Sequence, residues 1–549
     1  MPLDALVTGR IATLGGANGF GWVEAIGIRD GRVAFAGSEV ALETRADPFT
    51  RRFALEPDEV AVPGLTDAHL HLAQAARGLR QVDLSAVATL AEGMAAVGAA
   101  HAALTDPDAW IDGHGWDADR WGRWPTSDDL EAVAPGRRII LWAHDHHALL
   151  ASHAALRTGD VTAATEDPTG GLIRRDGDGA PEGVLLEAAT RFVTVHLPVP
   201  AQADLEADIA TMARQCLALG VVACHDPGPL APDPDLTYSF GAYAHLAETG
   251  RLPMRVHASL RADALETALA GGLRSGDVLG SDPAGRARIG WQKTFADGSL
   301  GSRTAALLAD LEPVAAAELP ASQRRGVWVT TAEELAEQAT RAAGGGISTQ
   351  IHAIGDAAVR AALDVLETMP RGLRLMSRIE HVQLLDPADR GRFATGRIAA
   401  SVQPLHVGSD AEKARRLWGD RAEANGYTWA SIDATGAVMP FGTDAPVEAI
   451  DPWPGLALAV RREDPRWEPG TPPFGPGEAI SLDRALRANA IDAAVAAGES
   501  DRGRLVPGQR ADIVVIPAAA LDDPVEPGGA LSTARPSLVF LDGEVVFEA

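Results

Sequence analysis

The sequence predicts an α/β protein, namely a (β/α)8 TIM barrel with a small β-sandwich domain formed by both termini and a large insertion after barrel strand 1. Three observations predict this fold. Apolar strands alternate with amphipathic helical stretches in the middle of the chain, and β-rich segments lie at both ends. An irregular region rich in Trp, Gly, Pro and His interrupts the repeat. The 549 residues suffice for a large barrel with additions.

Short strands separated by turn signals occupy both ends of the chain. The first strands are predicted over Ala5–Leu14, Val23–Arg29 and Val33–Ala36, and similar runs recur over residues 511–516, 537–541 and 544–547. Because two β-rich ends surround a long middle, we predict one small β-sandwich domain from residues 1–61 and 500–549.

The middle of the chain contains eight strand candidates. They are Val60–His71, Val221–Asp226, Met254–Leu260, Ile289–Phe295, Ser348–Ile354, Ser377–Val382, Ile398–Gln403 and Val438–Thr443. Eight such units predict a barrel over residues 62–80 and 200–499. The long gap after the first strand predicts an insertion, residues 81–199, that contributes to the active-site mouth.

Two histidines one residue apart, His69 and His71, close the first predicted strand. Side chains at i and i+2 of a strand point to the same face, so both imidazoles are expected to project together. Two neutral imidazole nitrogens can share one metal ion. A single strand-end histidine is more often a hydrogen-bonded surface residue, so the pair alone is moderately specific.

Further polar residues lie at the ends of later predicted strands. These are Lys293, His352, His381 and Asp444. Each alone has an ordinary structural explanation, such as a satisfied core histidine or a helix cap. Because active sites of such barrels form at the C-terminal strand ends, their recurrence there favours a metal site.

Only two of the 48 basic residues are lysines, Lys293 and Lys413. Lys293 lies in an apolar stretch, where its amine could react with carbon dioxide to give a carbamate, an anionic bridging ligand that arginine cannot form. An ion-paired lysine at a strand end is the alternative. Lys413 has charged neighbours at helical spacing, which predicts a solvated helix face without a role.

Composition excludes several classes of protein. The net charge of −27 disfavours nucleic acid and anionic membranes as partners. No apolar run is long enough to span a membrane, and the N-terminus does not resemble a signal peptide. Two cysteines cannot form a disulfide framework, so we expect a cytoplasmic protein. A small-molecule substrate is expected, and a homodimer is the default oligomer.

The chain resembles the amidohydrolase superfamily, and within it the YtcJ-like branch of metal-dependent hydrolases that includes N-substituted formamide deformylase. The resemblance covers almost the whole chain. The motifs that carry it are Pro63-Gly-Leu-Thr-Asp-Ala-His-Leu-His71, Gly113-His-Gly-Trp-Asp117, Gly183-Val-Leu-Leu-Glu187, Lys293-Thr-Phe-Ala-Asp-Gly-Ser-Leu-Gly-Ser-Arg-Thr-Ala305, His352-Ala-Ile-Gly-Asp356, Arg378-Ile-Glu-His381, Phe441-Gly-Thr-Asp444 and Gly503-Arg-Leu-Val-Pro-Gly-Gln-Arg-Ala-Asp512.

The resemblance implies two divalent metal ions, most simply Zn²⁺, and a metal-activated hydroxide that cleaves a non-peptide amide-type C–N bond, as in an N-acyl or N-formyl amine. It assigns His69, His71 and Asp444 to one ion, His352 and His381 to the other, and a carbamylated Lys293 as the bridge. Asp444 would also act as the catalytic acid and base.

Weaker expectations concern substrate contacts. In the insertion, Trp116, His146 and His147 could contact the substrate, although a solvated loop histidine is the simpler interpretation of each histidine. His225 ends the second strand and is expected to point towards the same mouth. Arg303 lies on a glycine-containing loop that could close over the site, where it could bind a substrate carboxylate or pair with Asp297.

Three other functions stay open. A mononuclear deaminase of the same superfamily would leave Lys293 unmodified. A lactone or ester hydrolase would share the site but not the leaving group. A binding protein without catalysis has no need for the complete ligand set, which argues against it.

Overall fold

The protein is described by a computed structural model over residues 3–229, 233, 235–317, 319–522 and 528–549. Its named strands form three sheets. One contains strands from both ends of the chain, one lies within the insertion, and one is a curled parallel sheet in the middle. The fold is therefore mixed α/β, as the alternating pattern predicts.

Five strands near the N-terminus begin the first sheet: β1 (Ala5–Ala12), β2 (Trp22–Arg29), β3 (Arg32–Gly37), β4 (Arg51–Ala54) and β5 (Glu59–Pro63). The first strand organises the others, since it pairs antiparallel with β2 and parallel with both β4 and β5. Their inward-facing Val, Ile and Ala side chains are completely buried.

The predicted strand Val60–His71 is in fact two strands in two sheets. After Gly64, the chain leaves the first sheet and forms β6 (Leu65–Asp67) at the edge of the middle sheet. A Cβ at Gly64 would lie 2.7 Å from Val222, so only glycine fits this crossing. His69 and His71 consequently follow the strand end rather than lying on the strand.

The insertion contains a six-stranded sheet of its own. It comprises β7 (Val82–Asp83), β8 (Ile111–Trp116), β9 (Ile139–Ala143), β10 (Ala148–Ala151), β11 (Gly171–Arg175) and β12 (Pro181–Glu187), in the order β11-β12-β10-β9-β8-β7. Trp116, Leu141 and Leu150 belong to a buried cluster that is separate from the core of the middle sheet.

The middle sheet continues after the insertion with strands in chain order. They are β13 (Val221–Asp226), β14 (Arg255–Arg261), β15 (Ala287–Phe295), β16 (Thr349–Ala353), β17 (Arg378–His381) and β18 (Ala399–Ser401). Every neighbouring pair from β6 to β18 is parallel. All seven strands therefore direct their C-terminal ends to the same edge of the sheet, where the candidate site lies.

The eighth predicted strand, Val438–Thr443, is not formed as a regular strand, although this segment is fully described. A single parallel bridge joins Val402 to Phe441, because Pro440 has no N–H to continue a ladder. The segment nevertheless accepts hydrogen bonds from Ala400 and Val402 on one side and from Ala68 on the other. Both edges of the curled sheet are thus hydrogen-bonded to residues 438–444.

The first sheet is completed by three C-terminal strands, β19 (Ile513–Pro517), β20 (Leu538–Leu541) and β21 (Glu544–Glu548). β19 pairs antiparallel with β5, so both ends of the chain share one sheet. Phe53 of β4 packs edge-on against Phe540 of β20, with ring centroids 5.0 Å apart. Non-adjacent strands of the sheet therefore pack against each other across a common core.

The α-helices of the described residues are α1 (Glu39–Glu43), α2 (Leu72–Gly78), α3 (Leu90–Ala103), α4 (Ala118–Trp121), α5 (Ser127–Val133), α6 (His153–Thr158), α7 (Arg191–Thr194), α8 (Gln202–Ala218), α9 (Ser239–Glu248), α10 (Leu265–Ala270), α11 (Pro313–Ala316), α12 (Ala332–Gly344), α13 (Asp356–Leu366), α14 (Arg392–Gly396), α15 (Leu405–Trp418), α16 (Asp420–Asn425), α17 (Trp429–Asp433), α18 (Pro452–Arg461), α19 (Leu482–Arg487), α20 (Ala493–Ala496) and α21 (Ala519–Asp522). None of these helices has both the length and the apolar character needed to cross a membrane.

Candidate metal centre

Asp444 lies at the centre of a buried cluster of histidines at the C-terminal edge of the middle sheet. Its Oδ1 lies 3.3 Å from His69 Nε2 and 3.7 Å from His71 Nε2. The segment before Asp444 can lie this close to His69 because residue 442 is a glycine. A Cβ at Gly442 would lie 2.4 Å from the backbone nitrogen of His69. Asp444 itself has φ of +63°, a conformation that residues other than glycine seldom adopt.

The rings of His69 and His71 are each held in orientation by a hydrogen bond from Nδ1, the nitrogen that points away from Asp444. His69 Nδ1 donates to Glu380 Oε2 at 2.5 Å, and His71 Nδ1 donates to the carbonyl oxygen of Gly228 at 3.0 Å. Each Nε2 is then the unprotonated nitrogen with a lone pair for a cation. His69 Nε2 is buried and has no hydrogen-bond partner among the described residues.

A second set of imidazoles faces the other oxygen of the same carboxylate. His406 Nε2 lies 3.2 Å from Asp444 Oδ2, and His381 Nδ1 lies 3.9 Å from it. The rings of His352 and His381 are 4.5 Å apart at their centroids, which places His352 beside this set. His381 Nδ1 is buried and lacks a hydrogen-bond partner within the part of the chain that is described.

Lys293 projects from β15 into the same space and is almost completely buried. Its Nζ lies 4.9 Å from the ring centroid of Phe295, and no described carboxylate forms an ion pair with it. Of the two alternatives for Lys293, the ion-paired lysine at a strand end is therefore not supported. One cavity of about 370 Å³ is bordered by all six predicted ligands, which are His69, His71, Lys293, His352, His381 and Asp444.

The protonation states of the predicted ligands favour binding of a cation. Burial and nearby positive charge hold the pKa values of His69, His352 and His381 well below the usual range, so these imidazoles are neutral. Burial also lowers the pKa of Lys293 to about 8, despite the opposing carboxylates. For Asp444, burial is outweighed by the neighbouring histidines, and its pKa lies well below the usual range. Neutral imidazoles with unused buried lone pairs around a carboxylate are donors that fit a divalent metal.

Two residues of this cluster escaped sequence analysis. His406 follows β18 in the first turn of α15, and Asp444 and Glu448 outweigh its burial and raise its pKa to about 10. The sequence feature that could have identified His406 is its position three residues after the predicted strand Ile398–Gln403. Glu380, which orients His69, is in turn held by Arg378 at 2.7 Å. The Arg-x-Glu spacing on one strand face indicates such a buried pair.

Side chains from the insertion tie the loop of residues 297–304 to the site. Asp145 Oδ2 accepts hydrogen bonds from Ser299 at 2.6 Å and Ser302 at 2.7 Å. Glu187 accepts from Thr304 at 2.6 Å and pairs with His147 at 2.8 Å. The loop that could act as a lid is therefore anchored by two partly buried carboxylates.

The predicted substrate contacts fall in different places. His147 borders the cavity beside His352, with ring centroids 5.0 Å apart, and Glu187 outweighs burial to raise its pKa to about 9. His146 borders the same cavity, stacked against Trp142, and neither of its ring nitrogens has a described hydrogen-bond partner.

The other three predicted substrate contacts, Trp116, Arg303 and His225, do not border the large cavity. Trp116 and Arg303 border a smaller adjoining cavity of about 60 Å³, and the Trp116 indole donates to the carbonyl of Leu141. His225 is completely buried, accepts a hydrogen bond from Arg378 and packs on Trp291. It borders neither cavity.

The second lysine is not on a solvated face, so that expectation was wrong. Lys413 Nζ lies 2.8 Å from Asp117 Oδ2, and about one-seventh of the lysine side chain is exposed. Charge spacing along α15 could not reveal this, because Asp117 comes from the insertion. The pair joins the insertion to α15 at the edge of the smaller cavity.

This geometry agrees with sequence comparison. The model of the amidohydrolase family (Amidohydro_3) matches residues 58–547. The chain belongs to the amidohydrolase family. This amidohydrolase is a hydrolase acting on carbon–nitrogen bonds, and its relatives place it in the YtcJ-like branch.

Relatives resemble this amidohydrolase over nearly its full length. Protein LONG AFTER FAR-RED 3 of Arabidopsis thaliana is 31% identical and covers 95% of this chain and 88% of its own. YtcJ of Bacillus subtilis (strain 168) is 28% identical, covering 96% of both chains. N-substituted formamide deformylase of Arthrobacter pascens is 27% identical, covering 96% of this chain and 95% of its own.

A solved structure shares the architecture. An uncharacterised metal-dependent hydrolase from Pyrococcus horikoshii OT3 superposes with a TM-score of 0.72 at 25% identity. The match covers 93% of this chain and 97% of the other.

Proposed function

We propose that this amidohydrolase is metal-dependent and hydrolyses a non-peptide amide-type C–N bond, as in an N-acyl or N-formyl amine. One observation carries the proposal. The two oxygens of Asp444 face two separate sets of imidazoles, with His69 and His71 on one side and His381 on the other. A carboxylate between two such sets suits a pair of divalent ions. The metal-dependent hydrolase from Pyrococcus horikoshii supports metal dependence, and the N-substituted formamide deformylase supports cleavage of an amide-type C–N bond.

The residues divide into two ligand groups. His69, His71 and Asp444 would hold one ion, and His352 and His381 would hold the second, with Zn²⁺ the simplest choice for imidazole ligands. Lys293, as a carbamate, would supply the bridging oxygens. When bound, such ions acidify a water molecule and polarise the substrate carbonyl.

The protein's own side chains supply proton transfer and positioning. Asp444 takes the proton of the attacking water and gives it to the amide nitrogen as the C–N bond breaks. His406 donates a hydrogen bond to Asp444 and holds its carboxylate in place. His147, kept protonated by Glu187, and His146 border the cavity where the substrate carbonyl would lie. Residues 299–303 of the anchored loop border the smaller adjoining cavity.

The test combines metal analysis with a substrate panel. Protein purified without chelator and with bicarbonate is expected to carry close to two zinc-like ions per chain. The same preparation should hydrolyse N-formyl or N-acyl amines faster than the matched esters and lactones. One ion per chain with release of ammonia would favour a mononuclear deaminase instead. Faster cleavage of esters or lactones would replace amide hydrolysis with ester hydrolysis.

We also infer a domain organisation for this function. Residues 438–444, hydrogen-bonded to both edges of the parallel sheet, would close a (β/α)8 barrel over residues 62–80 and 200–499. The sheet of both termini would fold into a sandwich from residues 1–61 and 500–549. Residues 81–199 would form the insertion at the mouth. Limited proteolysis that releases the insertion as one protected fragment would support these boundaries.

A further inference from the structure

The large cavity is bordered by a guanidinium, that of Arg261, that forms no ion pair and donates no hydrogen bond within the described part of the protein. Arg261 ends β14, beside Lys293 in the register of the sheet, and borders the cavity. Among the described residues, no carboxylate pairs with it and no oxygen accepts a hydrogen bond from it. This is unusual, because a largely covered arginine normally uses its donors.

The position of this guanidinium is fixed by an aromatic ring. Its Cζ lies 4.6 Å from the ring centroid of Phe295, at cation–π distance. The ring of Phe295 also lies 5.1 Å from that of His352. One phenyl ring therefore separates the unused donors of Arg261 from a proposed metal ligand.

The other charged residues around the cavity do not serve Arg261. Asp145 and Glu187 accept hydrogen bonds from Ser299, Ser302, Thr304 and His147. Asp263 borders the cavity and its negative charge raises the pKa of Arg261, but it is exposed and forms no ion pair with the guanidinium. Arg191, also on the rim, adds positive charge, and with burial it lowers the pKa of Arg261 only to about 10, so the guanidinium stays charged.

We propose that Arg261 binds a carboxylate on the substrate, so that the enzyme acts on amides that carry an anionic group a few bonds from the scissile bond, such as N-acyl amino acids. This inference rests on the proposed amide hydrolysis. Guanidinium and carboxylate match as a two-pronged hydrogen-bonded pair. Water adds to the amide carbonyl, the C–N bond breaks and the water proton passes to the nitrogen, giving a carboxylate and a free amino acid.

The test compares matched substrates on the metal-loaded enzyme. N-acetyl and N-formyl amino acids are assayed against the corresponding carboxamides, in which the carboxylate is replaced by a neutral amide. We expect the anionic substrates to be preferred in kcat/KM by at least tenfold. Arg261→Met, which keeps the packing on Phe295, should raise KM for the anionic substrates by roughly 10- to 100-fold, with a smaller effect on kcat. Arg261→Lys should recover part of the loss.

The control variant is Arg214→Met, which changes an exposed arginine on α8 that borders neither cavity. It should leave the kinetic constants of both substrate types unchanged. Circular dichroism and metal content confirm that each variant is folded and loaded.

The outcomes separate the inference from the proposed function. Equal turnover of anionic and neutral amides, unaffected by Arg261→Met, would overturn the carboxylate site and leave amide hydrolysis standing. If no amide is hydrolysed, the proposed function fails, and calorimetry then decides about Arg261. Binding of N-acetylalanine to the wild type and not to Arg261→Met would keep the carboxylate site, whereas equal binding or no binding would remove it.

Discussion

His69 Nδ1 lies 2.5 Å from Glu380 Oε2, so a carboxylate on β17 fixes an imidazole that follows β6 across the curled sheet. Arg378 holds the same carboxylate from its other side. Arg378, Glu380 and His69 thus form a buried chain of polar contacts, called the relay below. It leaves Nε2 as the nitrogen of His69 that is available to a metal ion. The position of His69 therefore depends on residues more than three hundred positions away in the sequence.

Glu380→Gln tests this relay. The amide can keep a hydrogen bond but not the charge, so we expect metal affinity to fall by about 10- to 100-fold. Competition with a zinc chelator measures the change. Glu337→Gln, at an exposed position on α12, is the matched control and should bind metal like the wild type. Unchanged affinity in Glu380→Gln would show that the relay has no influence on the metal.

His406→Ala tests whether this histidine positions Asp444 or binds metal itself. Because His406 donates to Asp444 Oδ2, we expect kcat to fall by roughly 100-fold while two ions per chain are retained. Elemental analysis and steady-state kinetics on the same preparation measure both quantities. Loss of one ion would instead make His406 a ligand.

Lys293→Ala tests the carbamate. Removal of the bridge should lower the metal content from two ions to one and abolish activity, and added acetate should restore part of both by occupying the freed space. Lys413→Met is the natural control, since it removes the other lysine and should keep two ions. A ¹³C carbonyl signal after incubation with labelled bicarbonate, present in the wild type and absent in Lys293→Ala, identifies the carbamate directly. Two ions in Lys293→Ala would contradict the proposal.

The ion pair of Lys413 with Asp117 should stabilise the fold in a pH-dependent way. Although burial opposes ionisation of Asp117, Lys413 lowers its pKa to about 2, below the ordinary value of an unfolded aspartate, about 4. The stabilisation is therefore complete above about pH 4 and is lost as the pH falls through 2.

Lys413→Met checks the size and sign of this effect. It leaves the partly buried Asp117 carboxylate without its cation, which we expect to cost about 3 kcal/mol at pH 7. The difference in thermal midpoint between wild type and variant should shrink as the pH falls from 4 to 2. The difference isolates the ion pair, because other acid effects act on both proteins. A difference that stays constant or grows over this range would rule out the assigned pair.

Sequence patterns predicted the alternating strands and helices, and seven of the eight predicted barrel strands are present. They failed where local pattern and tertiary pairing disagree. The apolar run from Val60 reads as one strand, but Gly64 lets it cross between sheets. The run before Asp444 reads as a strand, but Pro440 removes a donor and leaves a single bridge.

The candidate site divides in the same way. The six predicted ligands each lie at, or within two residues of, the end of a strand candidate, and parallel strands present their ends at one edge. The family resemblance then implied their assignment to metal ions. His406 and Glu380 were missed, since nothing in their local sequence tells which carboxylate or imidazole lies opposite. The solvated interpretation of Lys413 failed for the same reason, because its partner Asp117 is distant in the chain.

The sequence by itself determined the α/β class, the family and the identity of the residues at the strand ends, because hydrophobic periodicity and short motifs are local properties. Tertiary structure alone decided which nitrogen of each histidine is free and that Asp444 lies between two sets of imidazoles. It also decided that no described residue pairs with or accepts a hydrogen bond from the guanidinium of Arg261. These properties depend on contacts between residues far apart in the chain, where burial removes water and leaves each charge to the neighbours that folding provides.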